Sequence, residues 1–590
     1  MDAVQRERLA VKLPWILGVP AFGLLVLLVR TIGWPVHDGD ILGLRWATGM
    51  LTTCYAAGLM IWYVLGKDHY AWRTLLPRAI FTGLLLCEVV VASVWSDSLG
   101  DLFLLRNTLI LVLVVSQFPI LAGAWLRLAR LGQWKLLPKF APGMVFLLSF
   151  VVLIVIGAML LMLPSATKNG ISVVDAVFTS TSAACVTGLA SVDPALEFTL
   201  TGQIILLLII QAGGLGVMTL TYFFAMAVGN GITLRDRVMI RDMVNEDSLG
   251  QAGPMLRRIV WLTFGFEALG AVFLYISWQG QPACPPHLWW HAIFHSVSAF
   301  CNAGFSILPG GLTHPSTAYA LSIQTIIMLL IVAGGLGFAI YDESWRQLVR
   351  RVHSARLPMR ARPLPVRMTV HWRLAMAMTV ALIVFGALVM FFCDTMQPPH
   401  SETTTAWRLW QALFNSVSCR TAGFNVTDMG AYAVPTALVM MALMFVGGNP
   451  GGTAGGIKTT TFAISLLEVI RVVRGWRDVT VAGRTIGREV IDRSFATIVI
   501  SIGWVGTVTV VLALLQPQQK LVDLLFECVS AFGTVGLSRG ITSILSEPAK
   551  LVLCLTMLAG RVGILTFALA LAGAPRARDY EFPEARLPLN

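Results

Sequence analysis

The sequence predicts an all-α polytopic membrane protein, with four N-terminal transmembrane helices followed by four helix–turn–helix repeats in a pseudo-fourfold arrangement. Three observations predict it. Of 590 residues, 56% are hydrophobic and only 13% charged, about half the charge of a soluble domain, which leaves too little polar surface to face water. Apolar runs of about 20 residues, the length that crosses a bilayer, recur throughout. A polar, Gly-containing motif returns four times at nearly constant spacing.

The N-terminal segment comes first. Met1 to Lys12 is polar and basic, and Leu13–Val29 is apolar but interrupted by Pro14 and Pro20. No small-residue cleavage site follows, so this reads as an uncleaved span and not a signal peptide. Ile41–Leu65, Ala79–Trp95 and Leu102–Leu126 complete four spans over residues 1–140. The net charge of +12 would suggest nucleic acid in a soluble chain, but here its distribution implies no such partner. Basic residues gather in alternate loops: Arg235, Arg237 and Arg241, then Arg346, Arg350, Arg351, Arg356 and Arg360, then Arg471, Arg474, Arg477 and Arg484. Loops near Lys168, Gln279 and Gln516 are almost free of positive charge. The positive-inside rule makes the basic loops cytoplasmic, with both termini on that side of the cytoplasmic (inner) membrane. The nine cysteines are odd in number and scattered, which gives no disulfide framework.

Beyond residue 140 the chain repeats. The turns are Ser182–Leu189, Ser298–Phe305, Ser418–Phe424 and Ser530–Leu537, and their shared glycines are Gly188, Gly304, Gly423 and Gly536, spaced by 116, 119 and 113 residues. A period of this size marks a duplicated structural unit. The repeats run 141–245, 246–365, 366–490 and 491–576, with a C-terminal tail at 577–590. Their first helices are Pro142–Leu163, Ile259–Trp278, Leu374–Phe392 and Ala496–Leu515. The second helices are Gly202–Ala227, Ile323–Tyr341, Pro435 onward and Leu551–Ala572. Between them lie stretches too short to span, Ser172–Thr181, His291–Val297, Trp407–Val417 and Leu521–Val529, which suit re-entrant helices.

Non-helical backbone at membrane depth is tolerated only inside protein or along a watery path. Four such turns on a common axis would stack their carbonyl oxygens into rings that replace the hydration shell of a potassium ion. Each unit is then a helix–pore-loop–helix around one pore. The candidate filter comprises Cys185, Val186, Thr187 and Gly188; Cys301, Asn302, Ala303 and Gly304; Thr421, Ala422 and Gly423; and Gly533, Thr534, Val535 and Gly536. Short helices ending at the turns would aim their negative dipole ends at the ion.

These turns, with Gln211–Gly216, Gly334–Phe338, Gly447–Thr461 and Gly560–Gly563, resemble the Trk/Ktr/HKT superfamily of potassium transporters, and the bacterial Trk and Ktr membrane subunits in particular. The resemblance covers about residues 140 to 575. Cys185 and Cys301 stand where many relatives carry other residues, and the four N-terminal spans exceed the family pattern. The resemblance implies potassium uptake, with potassium preferred where all four filter positions are glycine, and sodium permeation where the first is serine. It also implies a homodimer on a separate cytosolic nucleotide-binding regulatory subunit. Arginine-rich loops 346–373 and 471–493 could supply the docking face or only set topology.

In the third repeat, Pro435 to Val446 covers about 18 Å at helical rise, half the membrane. Gly447 to Ile457 then holds six glycines in eleven residues before helical sequence resumes at Thr459. Such a break must line a cavity, and the resemblance implies that this loop is a gate. Its residues are Gly447, Gly448, Gly451, Gly452, Gly455, Gly456 and Lys458. It is not a phosphate loop, because Ile457 separates the glycine from Lys458-Thr459. Arg561, mid-span in the last helix, is expected to meet this loop beneath the filter and act as a barrier to cations, or else to form a structural ion pair. Glu267 reads as a structural partner, and Glu88 has no assignment. Arg420 and Glu527 flank filter turns, either bracing them or guiding ions. Cys185, Cys301, Cys419 and Cys528 fall out of register with one another, so no zinc site is expected. The rival function is a sodium- or proton-coupled potassium symporter. No catalytic cluster supports an enzyme.

Overall fold

The structure, a computed structural model, describes residues 142–227, 252–281, 283–355, 368–395 and 404–572, with three isolated positions before them. The chain divides into two units, Met1–Phe140 with Leu163–Ser165, and Ala141–Met162 with Ala166–Asn590. The fold below is that of the second. The four N-terminal spans, Glu88 and the C-terminal tail lie outside the described residues.

Each repeat supplies a first helix, a short helix and a second helix. The first has α1 (Pro142–Leu161), α2 (Val173–Ala184) and α3 (Leu200–Ala227). The second has α4 (Ala252–Trp278), α5 (Leu288–Phe300), α6 (Leu321–Leu336) and α7 (Phe338–Ala355). The third has α8 (Val370–Thr395), α9 (Thr405–Ser418), α10 (Val434–Phe445) and α11 (Thr459–Val473). The fourth has α12 (Arg488–Leu515), α13 (Leu521–Gly533), α14 (Glu547–Val562) and α15 (Ile564–Ala572).

Among the described residues, Arg258–Trp278, Val370–Asp394 and Arg488–Leu515 are long and apolar enough to cross a bilayer, and α6 with α7 makes a fourth if the bent pair is one span. Phe264, Phe385 and Val510 stand exposed on the first helices. Apolar surface on that scale is costly in water and free in lipid. The short helices have 12 to 14 residues, about 20 Å, and cannot cross. Two of them start on side-chain caps: Ser172 accepts from the Asp175 N–H and Thr404 from the Trp407 N–H, satisfying amides a helix start leaves orphaned.

One register fixes each short helix on its first helix. Ser180, Ser296 and Ser416 donate to the carbonyls of Ile154, Glu267 and Ile383 at 2.8, 2.6 and 2.8 Å, and Cys528 takes the same place opposite Val505. A methyl on Gly157, Gly270 or Gly386 would stand 2.4 Å from the serine hydroxyl, so only glycine admits this approach. The repeats then close into a cycle, each second helix packing on the next short helix: α3 on α5, α6 on α9, α10 on α13, and α14 back on α2.

Two helices differ from expectation. Ile323–Tyr341 and Leu551–Ala572 read as unbroken, but the chain breaks at Gly337 (φ 87°) and Gly563 (φ 91°). Alpha-7 leaves α6 at 92°. Glycine alone adopts such dihedrals without strain, and the apolar sequence around it gives no sign of the break. A small hairpin also falls in the basic segment between α11 and α12. Strands β1 (Thr480–Val481) and β2 (Arg484–Thr485) pair Val481 with Arg484 across Ala482 and Gly483, both at positive φ, as a two-residue hairpin turn requires.

Candidate functional site

The four turns meet. A methyl built on Gly188 would stand 2.5 Å from the Ala303 carbonyl oxygen, and on Gly304 2.7 Å from that of Ala422. On Gly423 it would stand 2.2 Å from Val535 O, and on Gly536 2.2 Å from Thr187 O. The contacts run from turn one to two, three, four and back to one, so the glycines form a closed ring. Each has positive φ (93°, 68°, 75° and 92°), at which a β-carbon is both strained and without room.

The backbone is set the same way in every turn. Val186, Asn302, Thr421 and Thr534, each two residues before its glycine, take φ of 56°, 59°, 67° and 50°, a conformation costly for residues other than glycine. Amides of the turns point back into the short helices. The N–H groups of Val186 and Thr187 bind Ala183 O and Ser182 O, and those of Thr534 and Val535 bind Ala531 O and Ser530 O. Turns two and three do likewise through Asn302, Ala303, Ala422 and Gly423. In a trans peptide the carbonyl opposes the N–H, so the carbonyls of residues such as Cys185, Val186, Gly533 and Thr534 face away from the helices. The short helices also end here, adding their negative dipole ends. The Thr187 and Thr534 hydroxyls are buried with no hydrogen-bond partner.

A second tier holds the ring. Ser182 and Ser530 accept from the Gly188 and Gly536 N–H groups at 3.0 and 3.1 Å, while Ser298 and Ser418 donate to Phe305 O and Phe424 O. Three residues before these serines stand Thr179, His295, Asn415 and Glu527. His295 meets Ser306 Oγ at 2.8 Å, and Asn415 donates to Tyr432 at 2.8 Å. Glu527, fully buried, accepts from Ser538 and from Thr542. Glu527 therefore braces the segment after turn four. Side chains also stitch the seams between repeats: Trp290 donates to Gln203, Trp410 to Gln324, and Lys550 pairs with Asp175 at 2.8 Å.

On one side the ring opens into a mouth of about 330 Å³ lined by all four glycines, with Asp193 at its wall. On the other side lies the Gly-rich loop, against the residues that precede the glycines. Thr453 Oγ1 donates to Phe300 O at 3.2 Å, and a methyl on Gly455 would stand 2.2 Å from Thr534 Oγ1. The Asn449 and Thr453 N–H groups bind the carbonyls of Gly335 and Gly334, and Gly456 N–H binds Gly560 O. The start and end of the loop are joined by Gly447 N–H to Ile457 O at 2.8 Å. Gly448, Gly451 and Gly452 lie along it, and Lys458 turns back to Ala454 O at 2.7 Å.

Two buried guanidinium groups hold the loop. Arg561 donates to Thr453 O and, at 2.8 Å, to Gly213 O, joining the loop to α3 through carbonyls and no carboxylate. Arg420, next to Thr421, donates to Gly447 O at 3.2 Å and to Thr379 O at 3.1 Å. These bonds brace the start of the loop against α8 and the third turn. Among the described residues no group of three His, Cys, Asp or Glu side chains is placed to hold a metal ion.

Residues 133–578 match the family model for TrkH, a cation transport protein. The chain belongs to that family. Its members are transporters, not enzymes, and this TrkH-family chain is a multi-pass membrane protein of the Trk/Ktr superfamily. It is 33% identical to Ktr system potassium uptake protein B of Vibrio alginolyticus over 75% of this chain and 93% of that one. It is 32% identical to the protein of the same name from Bacillus subtilis, over 76% and 97%. Potassium/sodium uptake protein NtpJ of Enterococcus hirae is 30% identical over 77% and 98%. The crystal structure of the potassium transporter TrkH from Vibrio parahaemolyticus shares the fold, with a TM-score of 0.60 at 19% identity over 84% of this chain and 96% of that one.

Within this family member, Glu267 is buried behind turn two. Gln211 donates to it at 3.3 Å and the Cys301 thiol faces it at 3.7 Å. It links α3, α4 and the second turn, a contact its isolated charge in the sequence did not specify. The bracing positions of His295 and Asn415 were missed because their chemistry differs from repeat to repeat, whereas Glu527 was read as either bracing its turn or guiding ions. The available signal was Ser306 and Ser538, each two residues past its glycine.

Proposed function

We propose that this chain takes up potassium across the cytoplasmic membrane through the ring of four turns, with the Gly-rich loop as gate. The observation that carries the proposal is the closed cycle of glycine contacts, Gly188 to Gly304 to Gly423 to Gly536. A monovalent cation on that axis would exchange hydration oxygens for turn carbonyls, with the unpaired hydroxyls of Thr187 and Thr534 as further ligands. The ring offers fixed dipoles and no carboxylate, which suits an ion that must bind weakly enough to leave. The loop closes the path on the side away from the mouth, and Arg561 there opposes cations by its charge. Potassium uptake in the names of the Ktr relatives supports the choice of ion.

By the positive-inside rule, the basic loops support a Gly-rich loop toward the cytoplasm, a mouth outside and both termini inside. A homodimer seated on a cytosolic nucleotide-binding subunit completes the proposal. Its repeats follow the boundaries 141–245, 246–365, 366–490 and 491–576. The potassium/sodium name of the Enterococcus relative favours one second reading, sodium permeation or coupling. Growth of an uptake-deficient bacterial host on limiting potassium, with and without sodium, tests both. Rescue independent of sodium supports the first reading, rescue that requires sodium supports the second, and no rescue in either medium refutes potassium uptake.

A further inference from the structure

Alpha-7 has an apolar stripe that, among the described residues, nothing covers. Trp345, Leu348, Val349 and Val352 are 63%, 53%, 49% and 47% exposed, at the i, i+3, i+4 and i+7 spacing that gathers them on one face. Roughly opposite, Ile340 and Gln347 are buried against the protein. Arg346 and Arg350 form an i, i+4 row beside the stripe, both exposed; Arg346 also pairs with Asp342 one turn back at 2.5 Å, with 46% of its side chain still open to solvent.

The depth of this helix is fixed by three consecutive residues. Asp342 pairs at 2.6 Å with Arg258, the first residue of a membrane-crossing segment. Glu343 accepts from the N–H and hydroxyl of Thr369, each at 2.6 Å, directly before α8 begins. Ser344 accepts from Trp372 Nε1 at 3.0 Å. Pinned to the ends of two candidate spans and turned 92° from α6, α7 sits at the level where those spans end. An amphipathic helix at that level buries its apolar stripe among acyl chains and keeps arginines among headgroups.

The root of the helix touches the Gly-rich loop. Phe338, its first residue, donates its N–H to Gly451 O at 3.1 Å. A methyl on Gly337 would stand 2.5 Å from Pro450 O, so the hinge packs backbone to backbone on the loop.

We propose that α7 is a membrane-surface helix that binds the phosphate headgroups of anionic phospholipids through Arg346 and Arg350, and that this binding biases the Gly-rich loop toward conduction. The coupling rests on the reading of that loop as a gate; the lipid contact does not.

One surface arginine beside an anionic leaflet corresponds to about fivefold in an equilibrium. The full chain is reconstituted in vesicles of phosphatidylcholine, with or without phosphatidylglycerol, and rubidium influx is measured. Phosphatidylglycerol should raise flux about fivefold in the native chain. Arg346→Gln with Arg350→Gln should abolish that response, and the paired lysine variants should restore it. Inorganic phosphate added to phosphatidylcholine vesicles should leave flux unchanged; if it reproduces the response, the ligand is free phosphate and the lipid proposal fails. A photoreactive residue at Leu348 should yield phospholipid adducts. Cross-links to a second copy or to another protein would assign the stripe to a protein interface and overturn the proposal, as would a glutamine variant with an undiminished lipid response. Deleting Gly451 to Thr453 separates the two readings. Unchanged flux in phosphatidylcholine on that deletion refutes the gate, while the adducts at Leu348 still decide the lipid contact.

Discussion

Replacing the four ring glycines by alanine one at a time should produce a graded loss of potassium flux. Gly536 sits at φ 92°, and its methyl would fall 2.2 Å from Thr187 O and 2.9 Å from Gly188 Cα. The backbone cost for an L-residue there is about 1–2 kcal/mol, and forcing a methyl into filled space adds about 1–3 kcal/mol. The sum, about 2–5 kcal/mol, must be met by moving the Thr187 carbonyl, one of the oxygens assigned to the ion. At about 1.4 kcal/mol per factor of ten, flux should fall at least roughly thirtyfold. Gly304 is the mildest site, since its φ of 68° is nearly left-handed helical and its contact is 2.7 Å. Loss there should be about threefold to tenfold. Gly170 supplies the control, with φ 84° and nothing within 4 Å of its would-be methyl. Its alanine variant bears the backbone cost alone and should conduct normally. Rubidium uptake into vesicles, scaled to folded protein, reads all three. If Gly536→Ala conducts like Gly170→Ala with unchanged preference for potassium over sodium, the reasoning from ring contacts is wrong.

Other side chains give further expectations. Arg561→Ala removes two charge-assisted hydrogen bonds that hold the loop and should raise flux about tenfold, whereas an unchanged rate in vesicles would deny it any gating role. Glu527→Gln leaves an amide N–H₂ facing hydroxyls that now donate to a carboxylate. Thermal melting should show a loss of about 2 kcal/mol, and a variant of native stability would show that this brace carries no weight. A double-mutant cycle of Lys550→Met and Asp175→Asn should give a coupling of about 1–2 kcal/mol, because the pair closes the seam between repeats four and one with side chains only 10% and 20% exposed. Additive single effects in the melting data would refute that coupling.

Spacing alone made the four repeats legible, because duplicated glycine turns leave the same letters at the same interval. Gly188, Gly304, Gly423 and Gly536 could be listed from the chain, but their cyclic order of contact could not, since it depends on which second helix packs on which short helix. The breaks at Gly337 and Gly563 escaped for a related reason. Glycine within an apolar run fits a close-packed helix as well as a hinge, and Gly334 and Gly560 do pack within theirs, against Phe300 O and Phe532 O. The contact of Arg561 with the loop was expected from its isolated charge. The bracing role of Arg420 was one of two left open, and its bonds to the carbonyls of Gly447 and Thr379 supply the contacts that bracing requires. Side chains such as His295 and Glu527 share a position and a task but no chemistry, so no pattern of letters unites them.

Crystals grown or soaked in rubidium offer the most direct measurement, through the anomalous difference density of the bound ion. The account predicts a peak on the axis enclosed by the four ring glycines, within ligand distance of turn carbonyls from every repeat. A map with no peak there, or with rubidium held only at Asp193 in the mouth, would contradict it.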